Sequence, residues 1–371
     1  MSLPLASVFE SLDDPRYERN QRHRLTDVLT LAVCAVLGGA NTWDAIAAYG
    51  RSKEAFFRRF LALENGIPSH DTFLRVFAKL DPVAFSQAFG RWMAAACQAT
   101  GLVPIAIDGK SVRRSPKATA TGCLHLVSAW ATEQRITLGQ ASVPEGTNEI
   151  ATIPELLRML DLAGAIVTID AAGCQHEIAE QIRKQGGEYL LAVKGNQPKL
   201  QAAVAGVFRA AVEADFEGVT FDQHATVETG HGRAEERYVT VIADPQGLPP
   251  EWPDVSAVVQ VNREREVDGE NVTTTHYYLS SHAGSAKAFG ALVRGHWGIE
   301  NECHWVLDVV FREDDSRTRS GHAAANLAMV RKVALALLKR APGKASLVTK
   351  RLQVGWSDDF LQTVLAGFTS D

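Results

Sequence analysis

Cysteine is scarce in this chain, and its positions form no pattern. Cys34, Cys97, Cys123, Cys174 and Cys303 are scattered over 371 residues without a Cys-x-x-Cys pair. An odd, dispersed set of this kind argues against a disulfide framework and against a zinc knuckle, and it fits a reducing compartment. We therefore expect a cytoplasmic protein without structural disulfides.

A surplus of positive charge is missing as well. The 38 Lys and Arg residues are outnumbered by 43 Asp and Glu residues, which gives a formal net charge of −5. Bulk basicity therefore does not indicate nucleic acid, and only the local placement of the positive charges can decide whether DNA binds.

The chain also lacks a long hydrophobic run. The segment VLTLAVCAVLGGA, residues 28–40, follows four arginines and so imitates a signal peptide. It is too short to span a bilayer and starts too far along the chain for a leader. We interpret it as a buried helix and expect no membrane partner.

The apolar spacing changes along the chain and suggests three regions. Residues 1–100 show helical spacing of three to four throughout, which predicts an all-α bundle, and we expect this bundle to contact DNA. Residues 101–345 alternate strands and helices, which predicts an α/β core with a mixed sheet flanked by helices. Within it, residues from about 199 to 290 look like a β-rich insertion. Residues 346–371 look like a basic C-terminal tail.

Two aspartates each end an apolar strand. Asp108 follows PIAI and Asp170 follows IVTI, and both have glycine close behind. Side chains that leave strand ends in an open α/β sheet point into the crevice where ligands bind. Aspartate after a strand is also simply a good turn residue, so either one alone decides little.

A third acid lies in the apolar segment RGHWGIENECHWVLDVVF, residues 294–311. If this segment is one α-helix, His296, Glu300, His304 and Asp308 stack along one face. Glu300 would then join Asp108 and Asp170, and three carboxylates without cysteine favour Mg²⁺ or Mn²⁺. Two such ions promote phosphodiester chemistry. The alternative is that His296, Glu300 and His304 hold zinc or iron themselves.

Basic residues follow these acids closely in the sequence. Their clustering around acidic positions predicts a groove that holds a phosphate backbone. The segment from Arg331 to Arg351, with seven Lys and Arg residues and no acid, belongs to the same prediction. The candidate DNA-contacting residues are Lys110, Arg113, Arg114, Lys194, Asn196, His231, Arg233, Arg294, His296, Trp297, His304 and Arg317.

Six ordered motifs resemble a known family. IAIDGKSVRRS, EGTNEIATIPELL, VTIDAAGCQ, YLLAVKGNQP, GHGRAEER and HWGIENECHWVLDVVFREDDSR occur in this order. Together they resemble the H-repeat-associated DDE transposases of bacterial insertion sequences, of the insertion-sequence As type and distantly related to the insertion-sequence-4 group. The resemblance covers essentially the whole chain.

The resemblance implies an RNase H-like catalytic core with Asp108, Asp170 and Glu300 as its DDE triad. It implies Mg²⁺-dependent cleavage of double-stranded DNA at the element's terminal repeats, then transfer of the freed 3′-hydroxyl into target DNA. A homodimer on DNA is expected as the active form.

One departure from the insertion-sequence-4 pattern stands near the third acid. Those relatives carry Tyr-x2-Arg-x3-Glu-x6-Lys, whereas this chain has Val293, His296 and Leu307 at the corresponding places around Glu300. We therefore do not expect this chain to use the hairpin intermediate of those relatives. The alternatives are a nuclease that no longer transposes and a DNA-binding protein without catalysis. The sequence does not distinguish either of them from an active transposase.

Overall fold

The two units of the chain are each assembled from separate stretches of sequence. The computed structural model describes residues 4–95, 102–115, 123–230, 233–267 and 270–367. The first unit combines Met1–Gln98, Gly109–Asn148 and Glu300–Asp371, and the second combines Ala99–Asp108 and Glu149–Ile299.

The N-terminal part of the first unit is helical, as predicted. Thr42 and Ser69 cap their helices, each accepting a hydrogen bond from the backbone N–H three residues on. The helices are α1 Pro4–Phe9, α2 Leu25–Leu37, α3 Trp43–Ser52, α4 Glu54–Phe57, α5 His70–Lys79 and α6 Pro82–Ala95.

The apolar run that imitates a signal peptide forms most of α2, and almost every residue of that helix is buried. This confirms the buried-helix interpretation. In the part of the chain that the structure describes, no helix has the length and apolarity needed to cross a membrane.

A long C-terminal helix completes the core of the first unit. This helix, α12 Ala323–Arg340, packs against α2 and α5. Asn326 ties it to α5 by donating to the carbonyls of Phe77 and Leu80 at 2.8 and 2.9 Å. The segment that follows is not a tail, because it forms α13 Leu347–Trp356 and α14 Asp358–Ala366.

A β-hairpin in the first unit lies against α6. Its strands, β2 Leu124–Ala131 and β3 Ile136–Ser142, are antiparallel. Gly90 of α6 allows the close approach, since a Cβ at that position would meet the carbonyl oxygen of Leu138 at 2.2 Å. Strand β1 Val103–Val112 starts in the second unit and continues into the first from Gly109.

The second unit contains a mixed sheet with the strand order β1-β4-β5-β9-β8-β7-β6. The first three strands are parallel, and β5 pairs antiparallel with β9. The strands after β1 are β4 Ala165–Ile169, β5 Glu188–Val193, β6 Phe221–Gly230, β7 Arg233–Ala243, β8 Ala257–Val267 and β9 Glu270–Ser280. The predicted β-rich segment therefore extends the sheet rather than forming a separate one.

Among the described residues of the second unit there are four helices: α7 Glu149–Arg158, α8 His176–Lys184, α9 Pro198–Glu213 and α10 Ala286–His296. Helix α10 packs on β4, β6, β7 and β8. Asp222 accepts the N–H of Ala286 at 2.7 Å and so fixes where α10 begins. The predicted mixed α/β architecture, with helices around a mixed sheet and a helical N-terminal region, is confirmed.

Candidate active site

Asp108 and Asp170 occupy neighbouring positions on two parallel strands. The register pairs Ile107 of β1 with Ile169 of β4, so the next residue on each strand is an aspartate. Adjacent strands lie about 4.8 Å apart, and paired positions face the same side of a sheet. The fold thus places Asp108 and Asp170 next to each other. Asp170 directly follows the last residue of β4, as predicted, whereas β1 continues to Val112, so Asp108 lies within its strand rather than at its end.

The turn after β4 orients the second carboxylate. Asp170 Oδ1 accepts the backbone N–H groups of Ala172 and Gly173 at 3.0 and 3.3 Å. Gly173 fits this tight turn because a Cβ there would meet Cγ2 of Ile169 at 2.3 Å. Asp170 is exposed, and Oδ2 stays outside these two bonds.

His296, the last residue of α10, lies beside the two aspartates. Its Nδ1 is 2.9 Å from the hydroxyl of Thr168, which lies two residues before Asp170 and so on the same face of β4. Burial lowers the pKa of His296, while the negative charges of Asp108 and Asp170 act in the opposite direction. The neutral imidazole is therefore favoured near pH 7.

The chemistry of this pair of side chains suits a hard divalent cation, since carboxylate oxygens are preferred ligands of Mg²⁺ and Mn²⁺. Within the described ranges, no group of three or more His, Cys, Asp or Glu side chains is close enough to hold a metal ion. Asp108 and Asp170 would supply two ligands, so a metal site requires a further donor.

The segment that carries Glu300 is not the continuous α-helix that its spacing predicts. Helix α10 ends at His296, a π-helical stretch spans Ile299–His304, and α11 spans Trp305–Val309. The single polar face was therefore a wrong prediction, because spacing of four residues aligns side chains only in a regular α-helix. The proposed zinc or iron face loses its geometric basis for the same reason. Glu300 is exposed, and π-helical turns are frequent at functional sites.

A charged cluster that the sequence did not reveal surrounds Lys110. Its ammonium lies 2.7 Å from Asp308, 3.2 Å from Glu313 and 3.4 Å from Asp314. Burial alone would lower the pKa of Lys110, but the three carboxylates together raise it. Burial raises the pKa of Asp308, and Lys110 counters that shift. The only sequence signal is charge complementarity between DGK and FREDD, which does not specify pairing.

Of the other predicted DNA-contacting residues in the first unit, two form ion pairs, one is exposed and one is buried. Arg113 and Arg114 are exposed and pair with Asp314 and Asp315. Arg317 is exposed as well, whereas His304 is buried, which favours a structural role for it over contact with DNA.

In the second unit, Lys194 is exposed just beyond β5, the parallel neighbour of β4. Asn196 donates its side-chain amide to the carbonyl of Ala171 at 2.6 Å, which ties the loop after β5 to the loop after Asp170. Arg294 pairs with Glu228, and Trp297 is half exposed. His231 and the side chain of Arg233 lie outside the described residues.

Four of the seven cations in the basic segment from Arg331 to Arg351 do not form a groove surface, whereas Lys344 is exposed. Arg331, Lys332, Lys350 and Arg351 are all buried. Lys332 donates to Ser128 and Gln140 at 2.7 Å each, and Lys350 and Arg351 donate to backbone carbonyls. For these four residues the predicted DNA surface is wrong, because each cation contacts polar groups inside the protein. Buried charges are tolerated only with such partners.

Comparison with known proteins agrees with this arrangement. Residues 100–337 match the family model described as "Transposase DDE domain", and residues 6–93 match "DDE_Tnp_1-associated". The chain belongs to the DDE transposase family. The family's catalytic domain is RNase H-like, which matches the mixed sheet flanked by helices, and the family acts on DNA and generally uses divalent metals.

Several relatives resemble the chain over almost their full length. "H repeat-associated putative transposase YhhI" of Escherichia coli K12 is 38% identical over 365 residues, covering 96% of each chain. "Putative transposase YncI" of Escherichia coli O157:H7 is 37% identical over 384 residues, covering 99% of this chain and 97% of its own. An "Uncharacterized protein in dhlA 3'region" of Xanthobacter autotrophicus is 42% identical over 278 residues, covering 74% of this chain and 93% of its own. The resemblance to H-repeat-associated transposases is confirmed.

Proposed function

We propose that this transposase cuts DNA at the ends of its element and joins the freed 3′-hydroxyl to target DNA, with Asp108, Asp170 and Glu300 as the ligands of Mg²⁺ or Mn²⁺. The observation that carries the proposal is the register pairing of Ile107 with Ile169, which puts Asp108 and Asp170 side by side at the carboxyl end of β4. That position is where open α/β sheets bind their ligands.

Chain connectivity supports Glu300 as the third ligand. His296 lies beside the two aspartates, and Glu300 follows it by four residues. Four residues span at most about 14 Å, so Glu300 cannot be remote from the pair. Its exposed carboxylate supplies the further oxygen donor that two aspartates need.

The protein's own residues would bind and orient the reacting groups. Divalent metal ions held by these carboxylates supply activation of the attacking oxygen and stabilisation of the leaving oxygen. Asp170 is held by two backbone N–H groups, so its carboxylate is oriented before a cation arrives. The Thr168–His296 bond fixes the imidazole beside it. Exposed Lys194, Arg113 and Arg317 are the candidates to bind the phosphate backbone.

The first experiment compares wild type with Glu300→Gln on a labelled duplex that carries an end of the element, with Mg²⁺. Glu302→Gln is the matched control, because Glu302 lies in the same π-helical stretch but pairs with Arg135 and Lys339 at 3.0 and 3.2 Å. We expect wild type and E302Q to cut at a defined 3′ end, and E300Q to bind without cutting.

Other outcomes would favour the alternatives. If all three proteins bind and none cuts, a DNA-binding protein without catalysis is the better description. If wild type cuts but a pre-cut end is never joined to a supercoiled target plasmid, a nuclease that no longer transposes is favoured. Light scattering of the protein with the duplex tests the proposed homodimer, and a single copy per duplex would contradict it.

A further inference from the structure

The side chain of Lys110 is placed next to the first acid but is turned to other partners. Lys110 follows Asp108 by two residues on β1, so both side chains leave the same face of the strand. The side chain of Lys110 is only 9% exposed. A phosphate-binding lysine would be expected to present its ammonium to solvent.

The partners of Lys110 form what we call the acidic turn, residues 308–315. A lysine ammonium has three N–H donors, and Asp308, Glu313 and Asp314 supply three carboxylates within 3.4 Å. Glu313 is fully buried, and the buried guanidinium of Arg331 lies 3.8 Å from its other oxygen. No other cation contacts all three carboxylates among the described residues.

The acidic turn is fixed to β1 by the backbone as well. The N–H of Arg113, just after the end of β1, donates to Asp314 at 3.1 Å. Arg312 has a left-handed backbone with φ of 52° and donates to Asp315 at 2.9 Å, which closes the turn on itself. The turn is thus a defined structure attached to one strand, and Lys110 is its central contact.

We propose that Lys110 is a positioning residue, which fixes the segment that carries Glu300 to the strand that carries Asp108. From Glu300 the chain continues through the π-helical stretch and α11 directly to Asp308, the nearest partner of Lys110. The inference rests on the proposed triad and adds how the third acid is held. Lys110 acts through Asp308 and the acidic turn, and it touches neither DNA nor metal.

Neutralising Lys110 should therefore weaken metal binding. Lys110→Met leaves three carboxylates with one buried cation, Arg331, so the acidic turn should move away from β1. Residues that support metal ligands typically contribute roughly 10- to 100-fold to metal affinity, and we expect at least about a tenfold weaker affinity for Mn²⁺ in K110M. Free Mn²⁺, measured by electron paramagnetic resonance on the protein–duplex complex, reports this without requiring cleavage.

A double-mutant cycle separates positioning from DNA contact. Asp308→Asn removes the nearest carboxylate, so K110M/D308N restores the charge balance and should recover part of the Mn²⁺ affinity lost in K110M. If Lys110 instead bound a phosphate, removing an acid would recover nothing. In that case K110M would weaken DNA binding and lower the salt dependence by about one unit of log–log slope. Lys184→Gln, which loses an exposed ion pair to Glu180 on α8, is the control and should bind Mn²⁺ as wild type does.

The outcomes distinguish this inference from the proposed function. Wild type that binds no Mn²⁺ on the duplex contradicts the proposed metal site, and the inference falls with it. Equal Mn²⁺ binding by wild type and a folded K110M overturns the inference alone. If K110M does not fold, D308N is the deciding variant, and wild-type Mn²⁺ affinity in D308N overturns the inference.

Discussion

Two groups of carboxylates in this transposase differ in what neutralises them. The first group is Asp108 within β1 and Asp170 just after β4, and Asp170 is exposed and accepts hydrogen bonds from two backbone N–H groups. In the acidic turn, Asp308, Glu313 and Asp314 surround the ammonium of Lys110, and Glu313 is fully buried. Asp170 keeps one carboxylate oxygen outside these two bonds, whereas the carboxylates of the second group are paired with Lys110.

The difference shows that a cluster of acids does not by itself identify a cation site. Backbone N–H groups orient a carboxylate without adding a formal charge, so an oxygen remains for Mg²⁺. A lysine with three carboxylates occupies the position that a cation would take. The chain therefore contains one group of acids whose chemistry suits an external cation and one group that is paired with a cation of the protein itself.

The largest expected effect is on cleavage, when one aspartate of each group is replaced by asparagine. We expect Asp170→Asn to reduce cleavage of the end duplex by more than about 100-fold, which exceeds the range typical of residues that only support ligands. Asp314→Asn, with Arg113 and Lys110 still present, should reduce it less than about tenfold. Single-turnover cleavage with Mg²⁺ measures both. Equal losses in the two variants would contradict the distinction.

The second-largest expected effect is on stability, and here the variant in the acidic turn should lose more than D170N. Glu313→Gln leaves the buried guanidinium of Arg331 without its carboxylate, and breaking a buried pair in this way costs about 3 kcal/mol of unfolding free energy. D170N changes an exposed side chain and should stay within about 0.5 kcal/mol of wild type. Urea denaturation measures both values.

A double variant checks the cause of that loss. Glu313→Gln with Arg331→Met removes both buried charges, so it should be less destabilised than the sum of the single variants. Strict additivity would show that the two side chains do not stabilise each other, and the acidic turn would then owe its stability to Lys110 alone.

The sequence predicted the elements whose signal is local. The apolar runs before Asp108 and Asp170 form paired parallel strands, as their β-branched residues predict, although β1 continues past Asp108 to Val112. The apolar run of α2 and the caps at Thr42 and Ser69 are equally local signals. These predictions needed no knowledge of which distant residues meet.

The wrong predictions depended on distant partners. Spacing of four residues between His296 and Asp308 fits an α-helix, but the π-helical stretch at Ile299–His304 changes the period within the segment. The basic residues from Arg331 to Arg351 look like a DNA surface until Ser128, Gln140 and Glu313 are found beside them. Charge in a sequence does not distinguish a solvated surface from a buried pair, and Lys110 was assigned to DNA for that reason.

The smallest expected effect concerns His296, whose pKa reports the charge of Asp108 and Asp170. Burial lowers this pKa below its usual 6.5, and the carboxylates of Asp108 and Asp170 oppose the shift. In D170N one of the two opposing charges is gone, so the pKa of His296 should fall further, while in D314N it should stay at the wild-type value. Titration of the imidazole by nuclear magnetic resonance measures this, and an unchanged pKa in D170N would contradict the placement of His296 beside Asp170.

The same shift has a consequence for stability. Because the folded protein binds this proton less readily than the unfolded chain does, the contribution of His296 is fully present above the usual pKa and is lost as the pH falls below it. The unfolding midpoint of wild type should therefore decline from pH 7 towards acid, and His296→Gln should flatten that decline. His23 and His276 also have a lowered pKa from burial, so part of the decline should remain in H296Q. A decline of identical slope in both proteins would show that the imidazole is already solvated, and His296 could then not be the neutral partner of Thr168.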